Sequence, residues 1–196
     1  MFLMIAPKTP KNEKERLLAL FSYNILDTEP EYDFDSITEL ASQICKTPMA
    51  LVSLVDGHRQ WFKSRHGLEA TETPRDISFC GHSILQDEIF EIENSLADER
   101  FLDNPLVLGD PKVIFYAGMP LKTPEGENIG TLCVIDHKPK KLDKEQRRAL
   151  RSLSLQVISQ LELKKKNRQL IEAMVDIKNQ AETILYQAKL ASVGQM

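Results

Sequence analysis

The C-terminal end of the chain carries an apolar stripe whose steps alternate strictly between four and three residues. This spacing is the repeat of a coiled coil, because it keeps every stripe residue on one seam of a helix. No Gly or Pro occurs in residues 163–193, so we expect one long helix there. An exposed seam favours a parallel homodimer, with a single amphipathic helix docked on its own domain as the alternative. The predicted dimer interface consists of Leu163, Asn167, Leu170, Met174, Ile177, Ala181, Ile184 and Ala188, with Asn167 as the polar position that would fix the register.

The net charge of −4 hides an uneven distribution along the chain. Residues 1–137 carry 12 basic and 23 acidic side chains, whereas residues 138–168 carry 11 basic and 3 acidic ones. A basic stretch can bind nucleic acid, but no aromatic residue is interleaved here for base stacking. We therefore expect no nucleic-acid partner.

The composition also bears on membrane insertion and on the cellular compartment. No apolar run approaches the roughly 20 residues that a bilayer span requires, and residues 1–6 lack the basic segment of a signal peptide. We therefore expect no membrane span. The three cysteines, Cys45, Cys80 and Cys133, lie far apart and cannot all pair with one another. They are typical of reduced thiols, which predicts a cytoplasmic protein.

The residues before the stripe predict an α+β domain, with a central antiparallel sheet flanked by helices. A first helix is expected to begin at Thr9, before Pro10, and to bury a face that includes Leu18 and Phe21. A second helix fits residues 32–45, where apolar residues recur at spacings of three and four.

The middle of the chain changes to strand-like patterns. Residues 49–55 are largely apolar, as in a strand covered on both faces, and Asp56-Gly57 predicts a hairpin. The final helix is expected to begin after Asp143, which would form a capping box with Gln146. The other predicted elements are strands at 60–64, 89–93, 113–121 and 129–136 and a short helix at 79–85.

Four segments, in order along the chain, resemble a bacterial subgroup of GAF domains. They are residues 56–64, 72–84, 115–121 and 130–136. The resemblance implies a GAF-like fold and a GAF sensory domain over residues 8–162. Residues 189–196 are similar to the opening of the dimerisation helix of sensor histidine kinases. Residues 163–196 would then be a coiled-coil signalling helix and the truncated start of that dimerisation helix.

The two resemblances together imply the regulatory sensor of a two-component histidine kinase. Such a module would relay a ligand or conformational signal through the dimeric coiled coil to a kinase core absent from this chain, and that core would phosphorylate a response regulator. In this family the phosphoacceptor histidine follows a few residues later, and we expect the chain to stop before it. No catalytic residue is therefore expected here, since none of the four histidines lies in that helix: His58, His66, His82 and His137.

GAF-like domains bind ligands between the sheet and the loops that cover it, so the resemblance implies an unidentified small-molecule ligand. Aromatic walls with a few polar groups are the usual lining of such sites. The alternative is that Trp61, Phe79 and Phe115 simply fill the core. By position, the candidate ligand-binding residues are Trp61, Phe79, Cys80, His82, Phe115 and Tyr116.

Cys80-Gly81-His82 suggests three further chemistries. A metal site needs about four nitrogen or sulfur ligands, and only this one Cys-x-His pair is local, so we expect no metal. Phytochrome-like GAF domains usually carry a bilin on a Cys directly followed by His, whereas Gly81 intervenes here, and we expect no cofactor. Cys80 also resembles one cysteine position of free methionine sulfoxide reductases. The alternative function is therefore a small redox enzyme that uses Cys80, while Cys133 is interpreted as a small buried hydrophobe.

Overall fold

The computed structural model describes residues 4–193, with side chains as far as residue 190. The chain divides into two compact units, Met1–Leu161 and Glu162–Met196. The first unit contains a sheet with a layer on each face, and the second is the continuation of the last helix. The final residues of the histidine-kinase-like segment, 194–196, lie outside the described part of the chain.

The first unit is built on a six-stranded sheet in the order β3-β2-β1-β6-β5-β4. Every neighbouring pair of strands is antiparallel. The predicted α+β fold with a central antiparallel sheet is therefore confirmed. The strands are β1 Met49–Val55, β2 Arg59–His66, β3 Glu72–Pro74, β4 Phe90–Ile92, β5 Phe115–Lys122 and β6 Asn128–Asp136.

Five helices accompany the sheet in the described residues. Helix α2 has the bounds that its apolar spacing predicts, and it ends before Thr47-Pro48 because a residue preceding Pro disfavours helical backbone. The helices are α1 Glu13–Ser22, α2 Tyr32–Cys45, α3 Phe79–Ser83, α4 Pro105–Leu108 and α5 Lys144–Val193. Short 3₁₀ turns occupy Arg75–Ile77 and Ser95–Ala97.

The sheet separates two hydrophobic clusters, one on each face. On the helix face, α1, α2 and the first turns of α5 pack through residues such as Leu20, Phe34 and Leu150. On the loop face, α3, α4 and their connecting loops pack through residues such as Phe79 and Phe101. Alternate residues of a strand point to opposite faces, and β1, buried throughout, accordingly contributes to both clusters.

Helix α1 differs from its prediction in both its start and its buried face. It begins at Glu13 rather than Thr9, because residues 10–12 form a turn in which the Glu13 N–H donates to the Pro10 carbonyl. Leu18 and Phe21 are exposed, whereas Arg16 is buried. The buried Arg16 guanidinium contributes to this orientation, because its Nη1 donates to the Val55 carbonyl at the end of β1.

Helix α5 begins as predicted. The Asp143 N–H donates to Gln146 Oε1 at 3.1 Å and the Gln146 N–H donates to Asp143 Oδ1 at 2.8 Å, so both halves of the capping box are formed. Leu150, Val157 and Leu161 pack in the helix-face cluster. Every described residue from 169 to 190 is exposed within this single chain.

Candidate functional site

The structure places the six predicted ligand residues on both sides of the sheet. Trp61 and Phe115 belong to the helix-face cluster. Phe79, Cys80 and Tyr116 belong to the loop-face cluster, and His82 packs edge-on against Phe101 of that cluster. The expectation that all six line one cavity is therefore wrong for Trp61 and Phe115, because the sheet lies between them and the rest. A ligand role for the loop-face members stays a prediction.

The loop-face members form an aromatic cluster rather than the wall of an open space. The rings of Phe79 and Phe101 stack with centroids 4.0 Å apart, and Tyr116 lies 5.2 Å from Phe79. His82 Nε2 lies 3.0 Å from the carbonyl oxygen of Ile5. Burial lowers the pKa of His82, which favours the neutral imidazole. This packing holds α3 against the centre of the sheet.

A cavity of about 310 Å³ opens beside this cluster on the loop face, and we call it the sheet cavity. Strands β1, β2 and β6 form its floor, while the loops after β2, α4 and the segment before β5 form its walls. Most of its lining is apolar, with a few polar groups, which is the usual composition of a small-molecule site. The lining residues are Met49, Leu51, Gln60, Phe62, Gly67, Leu68, Glu69, Ala70, Thr73, Leu106, Asp110, Pro111, Val113, Ile135 and His137.

The polar groups of the sheet cavity restrict what it can bind. Gln60 is fixed at one side, because its Nε2 donates to Thr73 Oγ1 at 2.6 Å. His137 Nδ1 lies 3.3 Å from the carbonyl oxygen of Lys112. The two carboxylates among the lining residues are Glu69 and Asp110, and no Lys or Arg is among them. This charge pattern disfavours phosphate-bearing ligands and suits a small neutral or cationic molecule.

Trp61 lines a second cavity, of about 600 Å³, between β2 and the loop before α2. Lys63, one of the charged residues that line it, has a fully buried side chain that already has hydrogen-bond and ionic partners. Its Nζ donates to Thr28 Oγ1 at 2.8 Å and to the Glu29 carbonyl at 2.6 Å, and it pairs with Glu31 at 2.6 Å. These contacts tie the loop to the sheet, so Lys63 has a structural role there.

Sequence reasoning missed the residues that line the sheet cavity. A usable signal was present in the strands: Met49 and Leu51 are two residues apart and must share a face, as must Gln60 and Phe62. Residues from the loops, such as Leu68, carry no such periodicity. Their contribution depends on how the loops fold over the sheet.

The described residues 4–193 contain no group of three or more His, Cys, Asp or Glu side chains arranged to hold a metal ion. None of the helices in this part of the chain has an apolar stretch long enough to cross a membrane.

The fold recurs among solved structures of low sequence identity. The GAF domain of an Acinetobacter phosphoenolpyruvate-protein phosphotransferase superposes with a TM-score of 0.57 at 18% identity, covering 78% of this chain and 94% of that one. A type II free methionine-R-sulfoxide reductase from Thermoplasma acidophilum gives 0.51 at 13% identity, covering 66% and 92%. Such identities establish the common fold alone.

Sequence comparison identifies the family. A cyclic di-GMP phosphodiesterase of Pseudomonas aeruginosa is 42% identical over 137 residues, which are 70% of this chain and 23% of that protein. The chain thus spans about a quarter of the length of this curated relative. The profile of the GAF domain family matches residues 30–161, two thirds of the chain. The chain belongs to the GAF domain family.

Proposed function

We propose that this chain is the sensory part of a signalling protein, in which a small ligand occupies the sheet cavity and a paired helix α5 relays the signal. The observation that carries the proposal is the uncovered seam of α5. Within the single chain, Leu170, Met174, Ile177 and Ile184 are each 62–69% exposed. Apolar side chains at coiled-coil spacing bury such a seam when a second copy of the helix pairs with it.

Ligand binding is supported by the composition of the sheet cavity and by its position. It lies on the loop face, where the walls are short helices and loops rather than strands. Loops rearrange at lower free-energy cost than a packed sheet does. A ligand shifts the equilibrium between two loop conformations only if it binds one of them more tightly than the other. The loop that changes conformation must therefore contact the ligand. Leu68 in the loop after β2 and Leu106 in α4 are two of the wall residues placed to meet this condition.

The proposed output is a histidine kinase core outside this chain, acting on a response regulator. The similarity of residues 189–196 to the opening of the kinase dimerisation helix supports it, together with the continuous helix that leads there. The proposed compartment is the cytoplasm, which fits three cysteines that are all free thiols.

A second candidate output is cyclic di-GMP hydrolysis. The 42% identity to the Pseudomonas phosphodiesterase supports this candidate, although the matched region covers 23% of that protein. The gene sequence after the Met196 codon separates the two outputs. A histidine within a few residues supports the kinase, and a phosphodiesterase domain contradicts it.

Native mass spectrometry of the purified full chain tests the sensory proposal. We expect a dimer that retains a small molecule. Leu68→Trp should fill the sheet cavity and abolish retention, whereas Leu108→Trp, at a position 62% exposed and outside the cavity lining, should retain the molecule. Equal retention by both variants would contradict binding in this cavity.

A further inference from the structure

Two of the three cysteines meet under helix α3. Cys80 lies on α3 and Cys133 lies on β6, 53 residues apart in sequence, yet their sulfur atoms are 3.9 Å apart. A disulfide requires a sulfur–sulfur distance of about 2.05 Å, so the two atoms must approach by about 2 Å. Helix α3 is only five residues long. Because the helix is so short, a local shift of α3 together with side-chain rotation is the movement that must supply this approach.

The surroundings make the two thiols chemically unequal. Burial opposes ionisation of Cys80, but Cys133, Ser53, Thr131 and Tyr116 favour its thiolate and together hold the pKa of Cys80 below its ordinary value. The Tyr116 hydroxyl donates to Cys80 Sγ at 3.4 Å. Burial and the neighbouring Cys80 raise the pKa of Cys133 well above that of a free thiol. Because the Tyr116 hydroxyl donates to Cys80 Sγ, and a donated hydrogen bond stabilises a thiolate, the geometry favours Cys80 as the nucleophile and Cys133 as the thiol that reacts second.

We propose that Cys80 and Cys133 form a redox site that a small hydroperoxide oxidises to an intramolecular disulfide. The Cys80 thiolate attacks one oxygen of hydrogen peroxide, forming an S–O bond and breaking the O–O bond. The departing hydroxide takes up a proton and leaves as water. Cys133 sulfur then attacks the sulfenic acid, forming the S–S bond and breaking the S–O bond, and its proton leaves with the hydroxyl as a second water. Two thiols are oxidised by two electrons, and one peroxide is reduced to two waters.

The burial of the two thiols limits which oxidants can reach them. Cys80 and Cys133 are 2% and 0% exposed, so a large disulfide such as oxidised glutathione cannot reach either sulfur in the folded protein. Hydrogen peroxide is small and neutral, and it needs only a transient opening beside α3. The site is distinct from the sheet cavity, whose lining contains neither cysteine. The inference therefore does not depend on ligand binding or on the output of the signalling helix.

Cys45 is a built-in control. It is as buried as the other two cysteines, at 1% exposure, but it packs in the helix-face cluster, with the sheet between it and the other thiols. Burial raises its pKa to about 11. Its thiolate is correspondingly scarce at neutral pH, and it lacks a second thiol with which to close a disulfide.

The test exposes the full, reduced chain to hydrogen peroxide at pH 7, then denatures it, alkylates the remaining thiols and digests it with trypsin. Each cysteine falls on a separate tryptic peptide: 17–46 for Cys45, 76–100 for Cys80 and 123–140 for Cys133. We expect peptides 76–100 and 123–140 to be joined within one chain, at least about tenfold faster than Cys45 is modified. Oxidised glutathione should give no joined peptide.

Matched variants complete the experiment. Cys45→Ala should form the joined peptide at the rate of the unchanged protein. Cys133→Ala should instead accumulate a Cys80 sulfenic acid that dimedone traps, and Cys133→Ser serves the same purpose if the alanine variant does not fold. The proposal is overturned if peroxide gives no joined peptide, if Cys45 is modified as fast as the pair, or if the disulfide links two chains.

Discussion

Replacing Glu13 by Gln is expected to destabilise the protein by about 2–3 kcal/mol at pH 7, and by less as the pH falls. The Glu13 carboxylate pairs with two buried guanidinium groups, that of Arg16 on α1 and that of Arg75 in the first 3₁₀ turn. Arg16 Nε and Nη2 each lie 2.8 Å from its carboxylate oxygens, and Arg75 Nη1 lies 2.5 Å away. The Arg16 side chain is 1% exposed. Because Gln carries no charge, the variant leaves this buried guanidinium without an anionic partner.

The magnitude follows from the pKa of Glu13. Burial raises it, but the hydrogen bonds and charges of Arg16 and Arg75 outweigh burial and lower it from 4.5 to about 2. The pKa difference of about 2.5 corresponds to about 3.4 kcal/mol of stability, and solvent screening of this partly exposed carboxylate reduces the contribution to about 2–3 kcal/mol. A lowered folded-state pKa stabilises the protein fully above pH 4.5, and the contribution is lost as the pH falls toward 2. About 1.4 kcal/mol of it should be lost by pH 3.5.

Urea unfolding of the unchanged protein and of the Glu13→Gln variant, at pH 7 and at pH 3.5, measures this contribution. Glu15→Gln is the matched control, because Glu15 lies on the same helix and is exposed. We expect the control to change the free energy of unfolding by less than about 0.5 kcal/mol. An effect of Glu13→Gln no larger than that of the control, or an equal effect at both pH values, would contradict this role of Glu13.

Two further substitutions, one of them with a matched control, test other features of the fold. A Cβ atom at position 118 would lie 2.2 Å from the Tyr116 hydroxyl, so Gly118→Ala should cost about 1–3 kcal/mol. Gly57→Ala, with nothing within 4 Å of the added carbon, should cost much less in the same urea titration. Asp143→Ala removes the acceptor of the Gln146 N–H and should cost about 1 kcal/mol. A change in helix content without a change in unfolding midpoint would contradict the capping role.

Sequence patterns correctly predicted the elements that depend on residues close together in the chain. The bounds of α2 and β1 follow from residue spacing and from a Pro after the helix, and the structure has both segments as predicted. The capping box of α5 depends on residues three apart, and it too is confirmed. The buried face of α1 could not be predicted in this way. It depends on Arg16, whose Nη1 donates to the carbonyl of Val55, 39 residues away.

The separation of Phe115 from the loop-face residues could have been predicted from the sequence. Phe115 and Tyr116 are neighbours on one strand, so their side chains must point to opposite faces of the sheet and cannot share a cavity. The structure shows this separation directly. The pairing of Cys80 with Cys133 has no comparable signal, since a contact across 53 residues depends on the whole sheet register.

Sedimentation of the full chain measures whether α5 pairs with a second copy through the seam of Leu170, Met174 and Ile177. Met174→Glu places a charge on the seam, whereas Val175→Glu, one residue along, places the same charge on an exposed position outside the seam. We expect a dimer, twice 22.3 kDa, for the unchanged chain and for Val175→Glu, and a 22.3 kDa monomer for Met174→Glu. A monomeric unchanged chain, or equal dissociation by both variants, would contradict this pairing.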